Sequence, residues 1–467
     1  MIASIVNQIN NVLWGNGQVL IYLLVAAGLW FSYRLGFVQF RHFFHMFSVM
    51  KNSTKSDKSG ISPFAALCTG LSARVGTGNL AGVAVAVSLG GAGAVFWMWA
   101  IALLGMATGF AESVLGQLYK VRNSNGEYRG GPAYYIQMGL NKRWLAIAFA
   151  VCLFLGYGLT FSAMQANTIT DALNYGYGIP RNRAGVVIAI LAGAIVWGGL
   201  RRVAKFSEMI VPVMGIGYIL TAFVITVLNF NLIPDVLHNI FTSAFGLQEA
   251  GAGALGSAIK NGVQRGLYSN EAGAGSVPHA AAGATPYPNH PVAQGYVQML
   301  GVFFDTLVLC TCSAMVVLLA GESYSGEMEG IRMIQDSMTV HLGAAGVHFV
   351  AAAITLFAFS SVVANYAYAE SNLHLFKLDN FKGRLGYTAV YLGMVVWGAD
   401  ATLNQVWALA DMALGLMTVV NITAITLLTP TIVAISRDYF AKRKRGDLPE
   451  FREGDVAIQG KTEPGIW

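Results

Sequence analysis

Between Arg74 and Gly82 the chain reads RVGTGNLAG, with ISPFAALCTG before it and VAVAVSL after it. Three glycines, a threonine, an asparagine and an arginine thus sit inside an otherwise apolar run. Glycines at 76, 78 and 82 lower the cost of unwinding a helix. Thr77 and Asn79 add side-chain donors and acceptors. Backbone unwound in this way offers free carbonyl and N–H groups, which can hold a cation and a charged solute together. A second such stretch, NGVQRGLYSNEAGAGS, runs from Asn261 to Ser276 and repeats the NxAG pattern of Asn79–Gly82 at Asn270–Gly273. The pattern is no dinucleotide loop: the third glycine comes one residue late and no strand–helix–strand pattern surrounds it. Neither a Walker sequence nor a nucleophile–base pair is evident.

These stretches need an apolar frame, and the composition supplies one. Of 467 residues 55% are hydrophobic and 11% charged, against about 25% charged in soluble domains. With a mean hydropathy of +0.55, the expected fold class is an all-α polytopic membrane protein. Eleven transmembrane helices are expected, near 17–36, 62–88, 93–117, 145–170, 185–199, 207–228, 256–282, 295–320, 345–371, 386–399 and 404–430. The segments at 185–199 and 386–399 are short. The linkers are brief, so residues 1–440 read as one transporter domain followed by a tail, 441–467. Cys68, Cys152, Cys310 and Cys312 fall in apolar segments and read as buried hydrophobes. The first basic residue is Arg34, so the basic n-region of a cleavable signal is missing.

Basic residues alternate with the expected spans. Arg34–Lys58, Lys120–Arg143, Arg201–Lys205, Lys377–Arg384 and the tail RDYFAKRKRGD fall on one side; Arg181, Arg183 and Arg332 fall on the other. The positive-inside rule then puts the N-terminus outside and the C-terminus in the cytoplasm, as an odd number of spans requires. The net charge of +6 follows from this anchoring and calls for no nucleic acid, while the tail cluster can touch anionic membrane lipids.

Setting aside the first span, 17–36, leaves ten. The two glycine-rich interruptions fall in the first and sixth of these, which enter from opposite sides. This is a five-plus-five inverted repeat, about 62–228 and 256–430. Paired interruptions at matching positions point to a secondary transporter's binding site. Arg74, Glu112, Arg265, Glu271 and Asp305 lie in or near spans, where charge is costly and therefore paired or functional. Arg74 and Glu271, at the two breaks, are expected to pin the unwound segments and serve folding and gating.

The stretch GGAGAVFWMWAIALLG, Gly90–Gly105, closely resembles the signature of the alanine/glycine:cation (sodium:alanine) symporter family. The resemblance extends through RVGTGNLAG, RGGPAYYI (Arg129–Ile136), FSAMQAN (Phe161–Asn167), YSNEAGAGS (Tyr268–Ser276) and FAFSSVVANYAYAE (Phe357–Glu370), and covers roughly 15–440. It implies a leucine-transporter-like fold with one extra N-terminal helix in the prokaryotic inner membrane. It also implies symport of alanine, glycine or a similar small amino acid with sodium or, in some members, protons. No cofactor beyond the coupling ion is implied, and no enzymatic activity. An ion-coupled carrier of another small solute on the same fold is the alternative.

Roles follow for individual residues. Backbone N–H groups of Gly76, Thr77, Gly78 and Asn79 suit a carboxylate. Gln165 matches a family position that looks like a substrate contact, its amide oxygen facing the ammonium. Ser269, Asn270 and Gly273 are expected to close the pocket. Phe161, Tyr268, Phe357 and Phe359 are expected to limit substrate size, admitting alanine and glycine ahead of leucine. In leucine-transporter-like folds the ninth span faces the first break. Ser360 and Ser361 with backbone oxygens of Ala73, Arg74 and Gly76 are therefore the expected sodium ligands, and Asn79 and Thr306 contribute to a second ion site.

Overall fold

The computed structural model describes residues 2–15, 17–123, 125–246, 252–321 and 330–467. Helices stand at each of the eleven expected positions. Among the described residues six are long and apolar enough to cross a membrane: Gly93–Leu118, Arg143–Tyr177, Gly199–Leu228, Pro291–Leu319, Ala345–Glu370 and Leu403–Leu427. The Gly199–Leu228 helix turns Val213, Ile216, Leu220, Phe223 and Leu228 outward, a stripe that suits lipid and not water. Among the described residues the only sheet is a hairpin pairing Val121–Arg122 with Tyr128–Arg129.

Both interrupted helices are broken. Ser62 caps the first, its hydroxyl accepting from Ala65 N at 3.0 Å, with Pro63 in the first turn where no N–H is needed. This helix ends at Arg74; Val75 turns extended, and the chain resumes as a wide-turn π segment, Gly78–Gly82, leading into Val83–Gly90. The second runs Ala252–Asn270 and resumes at Val277–Gly283. Between them Glu271, Gly273 and Gly275 all take positive φ, at 56°, 91° and 86°, a conformation that strains most residues but not glycine. Backbone bonds tie the start of the first broken helix to the end of the second: Ile61 N donates to Gly283 O and Thr285 N to Ile61 O, each at 2.9 Å. At the opposite ends Ser257 Oγ donates to Leu89 O at 2.7 Å, so the two lie side by side and antiparallel.

Two further wide-turn segments, Gly156–Thr160 and Phe303–Cys310, interrupt the long helices that flank the breaks. Such bulges frequently mark functional sites. Two of the three arginines expected on the sparsely basic side share one acidic partner, since Arg181 and Arg332 both reach Asp171, at 2.5 and 2.7 Å. The tail folds back onto the body: Phe451 N donates to Asn289 O at 2.8 Å and Trp467 Nε1 to Leu118 O at 3.0 Å.

Candidate functional site

The two breaks meet at a buried polar centre. At the first, Gly76 N donates to Asn79 Oδ1 at 3.1 Å, and Thr77 N and Oγ1 both donate to Gln165 Oε1, at 2.9 and 2.8 Å. Two N–H groups freed by unwinding are thus met by amide oxygens. Gln165 reaches them because the Gly156–Thr160 bulge shifts the face its helix presents. Gly76 has no room for a side chain: a Cβ there would lie 2.5 Å from Ser361 Oγ and 2.6 Å from Gln165 Oε1. Gly78 faces the second break, where a Cβ would lie 3.0 Å from the Tyr268 ring.

Asn79 Nδ2 turns to a cluster around Asp305, donating to its Oδ1 at 2.9 Å and to Ser269 Oγ at 3.2 Å. Asp305 Oδ2 accepts from Ser269 Oγ at 2.5 Å and from Thr306 Oγ1 at 2.8 Å. One fully buried carboxylate therefore joins the first break, the second broken helix and the Phe303–Cys310 bulge. No basic side chain among the described residues lies in ion-pair range of it.

Ser360 and Ser361 face the end of the first half-helix. Ser361 Oγ donates to Val75 O and Phe357 O, both at 3.2 Å. Ser360 Oγ donates to Phe357 O at 2.8 Å and to Ser72 O at 3.5 Å. Three carbonyl and two hydroxyl oxygens are gathered here. Ala73 and Arg74 occupy the last turn of the half-helix, but the carbonyls that meet the serines belong to Ser72 and Val75, and Gly76 O accepts from Asn79 N at 3.2 Å. The offset arises because the extended geometry at Val75 swings the chain out of helical phase.

Glu112, on the Gly93–Leu118 helix, holds the second break. Gly273 N and Gly275 N donate to its two oxygens at 3.1 and 3.2 Å, and Asn421 Nδ2 donates to it at 2.7 Å while also bonding Gly273 O at 2.9 Å. Asn270 Oδ1 accepts from Ala272 N at 3.0 Å, and its buried Nδ2 has no partner among the described residues. The expected ion pairing of Arg74 and Glu271 takes another form. Arg74 donates to Gln298 O and Oε1, both at 3.5 Å, and Glu271 accepts from Ser276 Oγ at 2.6 Å.

The aromatic residues divide. Phe161 meets Tyr268 edge to face at 5.6 Å, and Trp407 lies 5.2 Å from Tyr268. Phe357 packs on Tyr218 at 5.6 Å and half-buried Phe359 on Phe206 at 5.9 Å, so these two rings join neighbouring helices. Arg265 forms a two-pronged pair with Asp411, at 3.1 and 3.0 Å, and lies 4.2 Å from the Trp407 ring centre. Trp407 sits in the unbroken helix Leu403–Leu427; nothing in the local sequence connects it to Tyr268.

Helices unwound in mid-course and facing each other across buried amide, hydroxyl and carboxylate groups are the architecture of an integral membrane transporter. Relatives place it more closely. A model described as the sodium:alanine symporter family matches residues 1–453. The chain is 48% identical to the uncharacterized transporter YaaJ of Escherichia coli, covering 98% of this chain and 97% of that one. It is 42% identical to the amino-acid carrier protein AlsT of Bacillus subtilis, covering 97% and 95%. It is 37% identical to the sodium/alanine symporter AgcS of Methanococcus maripaludis, covering 94% and 98%. Among solved structures, an Eremococcus coleocola manganese transporter superposes with a TM-score of 0.50 at 13% identity, covering 84% of this chain and 81% of that one, a likeness of fold alone. The protein belongs to the sodium:alanine symporter family.

Proposed function

We propose that this protein is a symporter that couples sodium entry to uptake of a small amino acid, alanine or glycine, by alternating access in the bacterial or archaeal cytoplasmic membrane. On this reading all eleven helices span, as a leucine-transporter-like inverted repeat with one added N-terminal helix, N-terminus outside and C-terminus inside. The observation that carries it is the first break. Its N–H groups at Gly76 and Thr77 already bind oxygens of amide type, and a substrate carboxylate replaces those oxygens with a charged acceptor of like geometry, a stronger bond. Released from Thr77, Gln165 Oε1 is then free to accept from the ammonium. Phe161, Tyr268 and Trp407 bound the space available to the side chain.

For the cation, the Ser72, Val75 and Phe357 carbonyls with the Ser360 and Ser361 hydroxyls supply five oxygens, the donor set a hard monovalent ion takes. Both hydroxyl hydrogens now point at carbonyls, and rotating them away exposes lone pairs without moving the backbone. Asn79, Thr306 and Asp305 form a second candidate ion position. Substrate and ion each order part of the other's site, so each raises the other's affinity by the same factor. Purified protein in liposomes should accumulate labelled alanine under an inward sodium gradient and lose accumulation when the gradient is collapsed. Uptake indifferent to sodium and driven by a pH gradient alone would reassign the coupling ion.

A further inference from the structure

A groove of about 810 Å³ opens between the Arg143–Leu155 helix with its following bulge and the helix Phe381–Asp400. Val151, Leu155 and Leu159 form one wall, and Leu378 and Val390 the other. Its floor is aromatic, with Phe154 and Tyr387 in contact edge to face at 5.6 Å. Val151, Leu378 and Val390 are 44%, 46% and 56% exposed, so the groove faces outward and not toward the site. It exists because the helix carries glycine where a side chain would fill it: a Cβ on Gly386 meets nothing within 4 Å. From Val151 to Leu159, or from Lys382 to Val390, each wall rises about 12 Å. One leaflet's hydrocarbon is about 15 Å deep.

The mouth is polar and of one sign. Asn380 and Lys382 line it. Asn380 is spent on capping, its Oδ1 accepting from Gly383 N at 2.9 Å. Lys382 has no carboxylate partner among the described residues. Its neighbours' acids are turned elsewhere: Asp379 reaches His374 at 3.3 Å, and Glu370 is taken by Arg384 at 2.5 Å. The first turn of a twenty-residue helix adds its own positive end at this place. In a bilayer the groove's apolar walls do not discriminate, because every lipid tail is as apolar as they are; the free charge at the mouth does.

We propose that this groove binds one anionic phospholipid, with an acyl chain between the Leu155–Leu159 wall and Val390 and its phosphate at Lys382. The leaflet is the cytoplasmic one on the orientation proposed above. The groove's wall is the outer face of the same bulge that aims Phe161 and Gln165 inward, so the lipid braces the segment that positions the first break.

The test is native mass spectrometry of the full chain extracted from phosphatidylcholine vesicles doped with phosphatidylglycerol. Wild type should retain one phosphatidylglycerol with about a fivefold preference over phosphatidylcholine, the size expected for one lysine at a charged interface. Lys382→Gln should keep a lipid but lose the preference. Gly386→Leu should lose the retained lipid, while Gly393→Leu, on the same helix and equally open to a Cβ, should keep it. Equal retention by Gly386→Leu and wild type would overturn the proposal. So would a dimer that Gly386→Leu dissociates, since a second copy would then be the occupant. Retention needs neither transport nor a given orientation, so a protein that binds phosphatidylglycerol yet moves no alanine fails the symporter reading and leaves this one standing.

Discussion

At the scale of single residues, the first break concentrates its chemistry on very few atoms. Ser361 Oγ sits at 3.2 Å from Val75 O, across the gap between two helices. Removing one neutral oxygen of five costs about 1 kcal/mol, roughly a fivefold rise in half-activating sodium. Ser361→Ala should therefore shift the sodium activation curve well beyond any change in alanine affinity; an unmoved curve would count against the ion position. Gly76 is the more severe case. Its Cβ would fall within 2.6 Å of both Ser361 Oγ and Gln165 Oε1, so Gly76→Ala must separate the two groups that frame the break. Uptake should fall by at least tenfold in protein that still purifies as a folded monodisperse species, and near-normal uptake would show that the close approach is dispensable. The glycines that permit this were legible in the sequence, because only glycine tolerates such crowding. The offset of the serine-facing carbonyls, from Ala73 and Arg74 to Ser72 and Val75, was not, since it depends on one extended residue at Val75.

At the scale of elements, both breaks announced themselves as polar glycine-rich interruptions, but what holds them did not. Glu112 stands 161 residues from Gly273 and Asn421 stands 309 from Glu112. Only packing of the Gly93–Leu118 and Leu403–Leu427 helices against the break brings them together. Composition could mark Glu112 as an expensive intramembrane charge without saying which backbone groups it serves. Likewise Phe357 and Phe359 are legible only as aromatic residues near the ninth span's polar stretch, and the packing of their rings on Tyr218 and Phe206 depends on helix rotation, which the sequence does not carry. Truncating Glu112 strands two buried N–H groups, at about 1–3 kcal/mol each. Glu112→Ala should therefore lower the thermal midpoint in detergent markedly and reduce uptake, while Glu112→Gln, which keeps one acceptor oxygen, should be intermediate. A midpoint equal to wild type in the alanine variant would mean the break is held by other bonds.

At the scale of the whole molecule, the hairpin, the end of the second broken helix and the tail converge on Lys120, beyond the end of the Gly93–Leu118 helix. Its Nζ donates to Ala284 O at 3.3 Å and lies 3.9 Å from the Tyr128 ring centre and 4.8 Å from that of Trp467. Burial pushes its pKa down to about 7, with Asp57 acting in the opposite sense. Across the window from about 7 to the ordinary lysine value of 10.5, the unfolded chain holds a proton that the folded one has released. Stability should therefore rise with pH over that interval, and Lys120→Met should flatten the rise. Identical pH profiles of the thermal midpoint would dismiss a buried lysine as its source. Neither this junction nor the docked tail was foreseeable, because the tail's basic cluster reads as a topology and lipid signal and names no partner on the body.

The hydrogen bonds from Gly76 and Thr77 to Asn79 and Gln165 carry one last implication. A carrier must make its homeward stroke with nothing aboard, and bare amides dragged through a dry interior would stall it. On the proposed reading the unloaded centre is its own placeholder cargo, so the journey back needs no passenger and the cycle can run to net accumulation instead of idling in one-for-one swaps.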